Sequence, residues 1–112
     1  MKKNDLEMYK DFIDGIVNIS QRNYQKAIKN KKASFFDKLT PEELDDFFEL
    51  LNEQRIGGIH DLLVYLSDMQ NLEELVFIKN EIEIPKEPFG TELHYDYVSR
   101  LNGDSWPDAL SR

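Results

Sequence analysis

Thr40-Pro41-Glu42-Glu43 can do little else in a chain than begin a helix, and that constraint organises everything around it. A threonine hydroxyl caps the first turn, proline fits the first helical position where its missing N–H costs nothing, and the two acids favour the positive helix end, Glu43 reaching back to the cap. Behind this start Leu44, Phe47, Phe48 and Leu51 follow the three-and-four spacing of an amphipathic helix to about Glu53. Gly57-Gly58 then interrupts, and the spacing resumes at Ile59, Leu62, Leu63, Leu66 and Met69. Two glycines cost about 2 kcal/mol in a helix interior, which favours two helices joined at that pair over one kinked helix, although Ile56 and Ile59 keep the period across it.

The same spacing at Leu6, Tyr9, Ile13, Ile16, Tyr24, Ala27 and Ile28 predicts a long first helix from Asp5 to about Lys31, opened by Asn4 and Glu7. Gly15 and the polar stretch from Asn18 to Asn23 weaken its middle, so a bend or a break near residue 20 is the alternative to one continuous helix. Phe35 and Phe36 are expected to plug the core. After Leu75 the period drops to two: Val76, Ile78, Ile82 and Ile84 alternate with Phe77, Lys79, Glu81 and Glu83, and Asn80 suits the turn of a two-stranded hairpin. Pro85 to Gly90 is a rigid connector. Residues 91–101 fit a helix capped by Thr91, with Leu93, Tyr97, Val98 and Leu101 on one face and Asn102-Gly103 ending it; a strand reading would alternate Leu93, Tyr95 and Tyr97 instead. Leu101 and the Asn-Gly end belong only to the helix, which is therefore preferred. Trp106 is expected to fold back as an anchor.

The expected fold class is mainly α (α+β): about four helices around one core, with a small β-hairpin near residues 75–84. At 112 residues, 1–112 is read as a single domain. The absence of cysteine excludes disulfides and thiolate-held metals, and no segment approaches the roughly 20 apolar residues of a membrane span. A cytoplasmic address, with no membrane partner, is the expectation. The net charge of -8 argues against nucleic acid as a partner. That charge is unevenly spread: residues 1–38 carry nine Lys/Arg against five Asp/Glu, and residues 39–112 carry five against seventeen. The basic cluster Arg22, Lys26, Lys29, Lys31, Lys32 and Lys38 and the acidic cluster Glu42, Glu43, Asp45, Asp46, Glu49 and Glu53 are expected to screen each other as solvated faces, or to dock a partner.

Acid-base or metal chemistry needs histidine and carboxylate groups that converge, and the chain has only two histidines. His60 with Asp61, and His94 with Asp96, are the candidate catalytic residues, and His60 and His94 the candidate metal ligands. Against them stands scaffold histidine hydrogen-bonded within the fold. If residues 91–101 are helical, Glu92 and Asp96 share a face and His94 points about 200° away from Glu92. No phosphate loop, nucleophile elbow or dinucleotide fingerprint is present, and no cofactor is expected.

Gly57-Gly58-Ile59-His60-Asp61-Leu62-Leu63, and Phe89 to Val98 followed by Asp104-Ser105-Trp106-Pro107, resemble a family of small uncharacterised bacterial proteins with no assigned function. The resemblance covers roughly residues 40–108 and implies a bacterial cytosolic origin but no activity. The preferred function is that of a non-enzymatic protein-binding or regulatory module, an immunity-like or antitoxin-like inhibitor being one concrete form. Its expected contact surface is Gly57, Gly58, Tyr95, Tyr97 and Trp106, together with the acidic helix from Glu42. The alternative is a metal-assisted or acid-base hydrolase using His60/Asp61 and His94/Asp96. A homodimer built on the long first helix is the remaining structural option.

Overall fold

The computed structural model describes residues 3–108. In chain order the elements are α1 (Asp5–Ser20), α2 (Gln25–Lys31), α3 (Ala33–Phe36), α4 (Pro41–Leu72), a hairpin of β1 (Phe77–Lys79) and β2 (Ile82–Ile84), and α5 (Leu93–Leu101). The mainly helical class and the hairpin agree with the sequence; the helix boundaries depart from it twice.

The first departure is at residue 20. The long first helix is broken within its weak polar stretch: it ends at Ser20, and Gln21, Arg22, Asn23 and Tyr24 separate it from α2. Arg55 of α4 explains the stop: its guanidinium donates to the carbonyls of Ile19 and Arg22 and lies 4.6 Å over the Tyr24 ring, satisfying the end of α1 where a cation is favoured. A dimer built on one long first helix loses its basis, because α1 is short and turns Met8, Tyr9, Ile13 and Val17 into the core.

The second departure is at the glycines. Rather than two helices joined there, α4 runs unbroken for 32 residues through Gly57-Gly58, roughly 48 Å. Ile56 and Ile59 pack against the core on either side of the pair, and that burial holds the turn against the glycine cost. The start follows the sequence: Thr40 and Glu43 form a reciprocal capping box, whose bonds to Thr40 hold the Glu43 carboxyl below the usual range. At the other end Glu74, at φ 57°, turns the chain off the helix, and the Leu75 N–H closes on the Met69 carbonyl.

The hairpin pairs Phe77 with Ile84 and Lys79 with Ile82, and its two turn residues Asn80 and Glu81 both adopt positive φ, the turn that matches strand twist. That register buries Ile84 and partly buries Phe77 and Ile82, leaving Val76 and Ile78 on the outer side. Phe77 stacks on Phe12 of α1 at 5.4 Å, so the small sheet leans on the helices.

The molecule measures 56 × 31 × 24 Å and has two parts. The body comprises α1, the hairpin, α5 and the second half of α4, around a cluster of Tyr9, Ile13, Leu63, Ile84, Phe89, Leu93 and Tyr97. The arm comprises α2, α3 and the first half of α4. The expectation that Phe35 and Phe36 plug the core is corrected here: Phe36 packs with Phe47 and Phe48 of the arm, outside the body cluster, and Phe35 remains exposed. No helix among the described residues is long and apolar enough to cross a membrane.

Candidate functional site

α5 is placed by a hydroxyl from another helix. Its N-cap, Glu92, makes no side-chain cap, and Ser67 of α4 accepts the Leu93 N–H at 3.1 Å instead. Both residues are buried, so this bond replaces water at a helix start that would otherwise hold an unsatisfied donor. The expected cap, Thr91, has a different partner: its hydroxyl donates to Asp96 at 2.5 Å.

Pinning α5 at Ser67 brings the two histidines together. The His60 and His94 rings are 5.2 Å apart, centroid to centroid, and nearly perpendicular. Each has a carboxylate beside it: Asp61 lies 3.6 Å from His60 Nδ1 and Glu92 3.8 Å from His94 Nδ1. His94 Nδ1 itself is buried and has no hydrogen-bond partner among the described residues. The expected separation of Glu92 from His94 does not hold, because Glu92 precedes the helix and is free of its periodicity.

Asp96 does not join them. It is 3% exposed, and its two oxygens accept from Tyr9 of α1 and from Thr91. Burial raises the Asp96 carboxyl, against the opposing pull of the two hydroxyls, and burial likewise raises the Tyr9 phenol. The four candidates of the hydrolase reading therefore divide into a surface group, in which His60 and His94 are partly buried and Asp61 is exposed, and a buried structural carboxylate. Among the described residues no group of three or more His, Cys, Asp or Glu is arranged to hold a metal ion.

The expected contact residues divide as well. Gly57 and Gly58 are exposed on α4, and Tyr95 is exposed at the start of α5. Tyr97 is corrected: it is fully buried, and its hydroxyl donates to Ser20, whose own hydroxyl is turned to the Ile16 carbonyl. Trp106 folds back, stacking on Phe89 at 5.3 Å beneath the Arg100 guanidinium, which also forks onto Asp14 at 2.9 and 3.2 Å. These groups wall a cleft of about 280 Å³ lined by Phe89, Thr91, Tyr95, Asp96, Arg100 and Trp106, and neither histidine reaches it.

Sequence reasoning missed Tyr9, Ser20, Arg55, Ser67 and Thr91 as polar partners. Tyr9 and Tyr97 read as apolar members of helical stripes, and nothing in a stripe announces that a ring carries its hydroxyl to a partner 77 or 87 residues away. Thr91 alone gave a signal, standing at a helix start.

A second set of residues emerges from exposure. Leu62, Tyr65 and Leu72 on the outer side of α4 are 56%, 58% and 78% exposed, and Leu50, Val76 and Ile78 are also in water. Isolated apolar residues on a surface are ordinary, but a row of them along one helix face is a contact surface in waiting.

No curated protein and no solved structure matches the chain. Residues 2–108 match the sequence profile described as a family of unknown function, DUF6547. The chain belongs to that family, which carries no assigned activity.

Proposed function

We propose that this protein is a non-enzymatic binding module that contacts another protein through the outer face of α4. The observation that carries the reading is the run of solvent-exposed apolar side chains at Leu62, Tyr65 and Leu72, on the second half of α4, whose Ile56, Ile59, Leu63 and Leu66 turn the other way into the body. The acidic body repels nucleic acid and favours a partner with a basic rim, the form an immunity-like or antitoxin-like inhibitor takes. A soluble interaction module of this kind works in the cytoplasm. The test is capture from cell lysate by the intact chain and by a Leu62→Asp/Tyr65→Asp variant, both verified as folded by circular dichroism. Loss of captured proteins in the variant supports the reading; identical capture by both contradicts it.

The contact between His60 and His94 favours a second reading, acid-base chemistry at the α4–α5 seam. Hydrolysis of model ester and phosphodiester substrates that disappears in both His60→Ala and His94→Ala would support it. Equal turnover in the variants and the intact chain would remove it.

A further inference from the structure

The outer face of α4 has a symmetry that identifies what covers it. Counting from Gly58, the residues on this face stand four, seven, eleven and fourteen positions away in both directions: Gln54, Leu51, Phe47 and Leu44 on one side, Leu62, Tyr65, Met69 and Leu72 on the other. All lie within one stripe of the helix surface and none is fully buried, although Phe47 already has one edge against Phe35 and Phe36 of α3. A two-fold axis through Gly58 would therefore set Leu44 against Leu72, Phe47 against Met69 and Leu51 against Tyr65. Such a self-complementary pattern is what an isologous interface between antiparallel helices requires, residue i meeting j while j meets i.

Gly58 itself supplies an independent observation. A Cβ built there meets nothing within 4 Å, so no neighbour in the chain requires the missing side chain. The helix nevertheless carries an exposed glycine at its midpoint, at a cost of about 1 kcal/mol. Close approach of another backbone is a use for it.

Charge selects the same arrangement. The arm, residues 21–55, carries seven Lys/Arg and seven acids and is neutral as a whole, and among the described residues no ion pair joins α2 or α3 to the acids of α4. The body segments, residues 3–20 and 56–108, carry five Lys/Arg against fifteen acids. An antiparallel pair lays the neutral arm of one copy alongside the acidic body of the other and holds the two acidic bodies at opposite ends. A parallel pair would set the two acidic bodies side by side. The contact from Leu44 to Leu72 is roughly 42 Å long and about one helix wide, enough to reach the ~1,000 Å² total at which an interface is stable when Phe35 is added at either end.

We infer that the partner of the α4 face is a second copy of this chain, packed antiparallel across a two-fold axis at Gly58. The inference rests on the binding reading above and names its partner.

The chain has no cysteine, so single cysteines can be placed without background. Helices packed at 8–10 Å bring the two Gly58 backbones within the 4.4–6.8 Å that a disulfide spans, whereas Gly57 points about 100° round the helix. Under mild oxidation Gly58→Cys is expected to form a covalent dimer at least tenfold faster than the equally exposed Gly57→Cys. Sedimentation equilibrium of the intact chain should show a dimer whose dissociation constant rises at least tenfold in Leu62→Asp. A monomer at millimolar concentration, or equal crosslinking of the two cysteine variants, overturns the inference. If the chain is monomeric yet Leu62→Asp/Tyr65→Asp loses proteins captured from lysate, the binding reading stands and only the second copy is rejected. If capture is also unchanged, both fall.

Discussion

The body and the arm share one helix, yet they are held together by different physics. In the body, three helices and the hairpin close around a cluster in which Tyr9, Ile13, Leu63, Leu93 and Tyr97 are almost wholly removed from water, and buried hydroxyls pair across elements. In the arm, α2 buries no residue at all, and only Phe36 and Phe48 are buried against one another. Dense packing at one end and an open aromatic sandwich at the other, along a single 32-residue helix, shows that continuity of secondary structure does not imply uniform stability. It also separates the tasks: the body fixes geometry, and the arm and the outer face of α4 remain available.

Equal truncations should expose the contrast most strongly. Leu63→Ala, in the body, is expected to cost about 2–5 kcal/mol in urea denaturation, whereas Leu50→Ala, half in water on the arm, should cost well under 1 kcal/mol. Similar losses at the two sites would erase the distinction.

Asp96→Ala should follow at roughly 2–3 kcal/mol, because it strands the Tyr9 and Thr91 hydroxyls in the interior. The isosteric Asp96→Asn separates charge from hydrogen bonding. Since the folded carboxyl is raised above its ordinary value of 3.8, its favourable contribution is complete below that value and is lost as pH rises through the folded value. Wild-type stability relative to Asp96→Asn should therefore decline as pH climbs from 3.8, measured by thermal denaturation across the acid range. A relative stability that increased with pH would mean that the hydroxyls outweigh burial.

Arg55→Ala should cost about 1 kcal/mol globally while detaching the α1–α2 junction from α4. Proton NMR would show the Tyr24 ring resonances moving to solvent-like shifts while those of Tyr9 and Tyr97 stay in place. Smallest is Gly57→Ala, expected to stabilise by about 0.5–1 kcal/mol, since a Cβ there meets nothing and the helix gains propensity. A destabilised Gly57→Ala would show that this side of α4 is also in contact.

Much of this fold was legible in local chemistry. The capping box at Thr40, the change of period at Val76, the Asn-Gly helix end and the anchoring Trp106 each state a physical requirement within a few residues. What escaped depended on distance. Whether α4 breaks at Gly57-Gly58 is decided by Ile56 and Ile59 meeting the body, and propensity cannot weigh that burial. The polar stretch from Asn18 marks a weak point near residue 20, but that the helix breaks there rather than bends is sealed by Arg55, more than thirty residues away. The meeting of His60 with His94 followed from neither motif alone but from Ser67 holding the start of α5, and Asp96 left that group because Tyr9 and Thr91 offered it better partners.

Hydrogen exchange followed by mass spectrometry at low and high protein concentration joins both halves of this picture. Amides of α1, α5 and residues 63–70 should be slow at every concentration. Those of α2, α3 and residues 44–55 should exchange orders of magnitude faster when dilute and slow markedly on concentration, as the second copy covers α4. Arm and body exchanging at one common rate, unaffected by concentration, would contradict both the division of the molecule and the self-contact of its long helix.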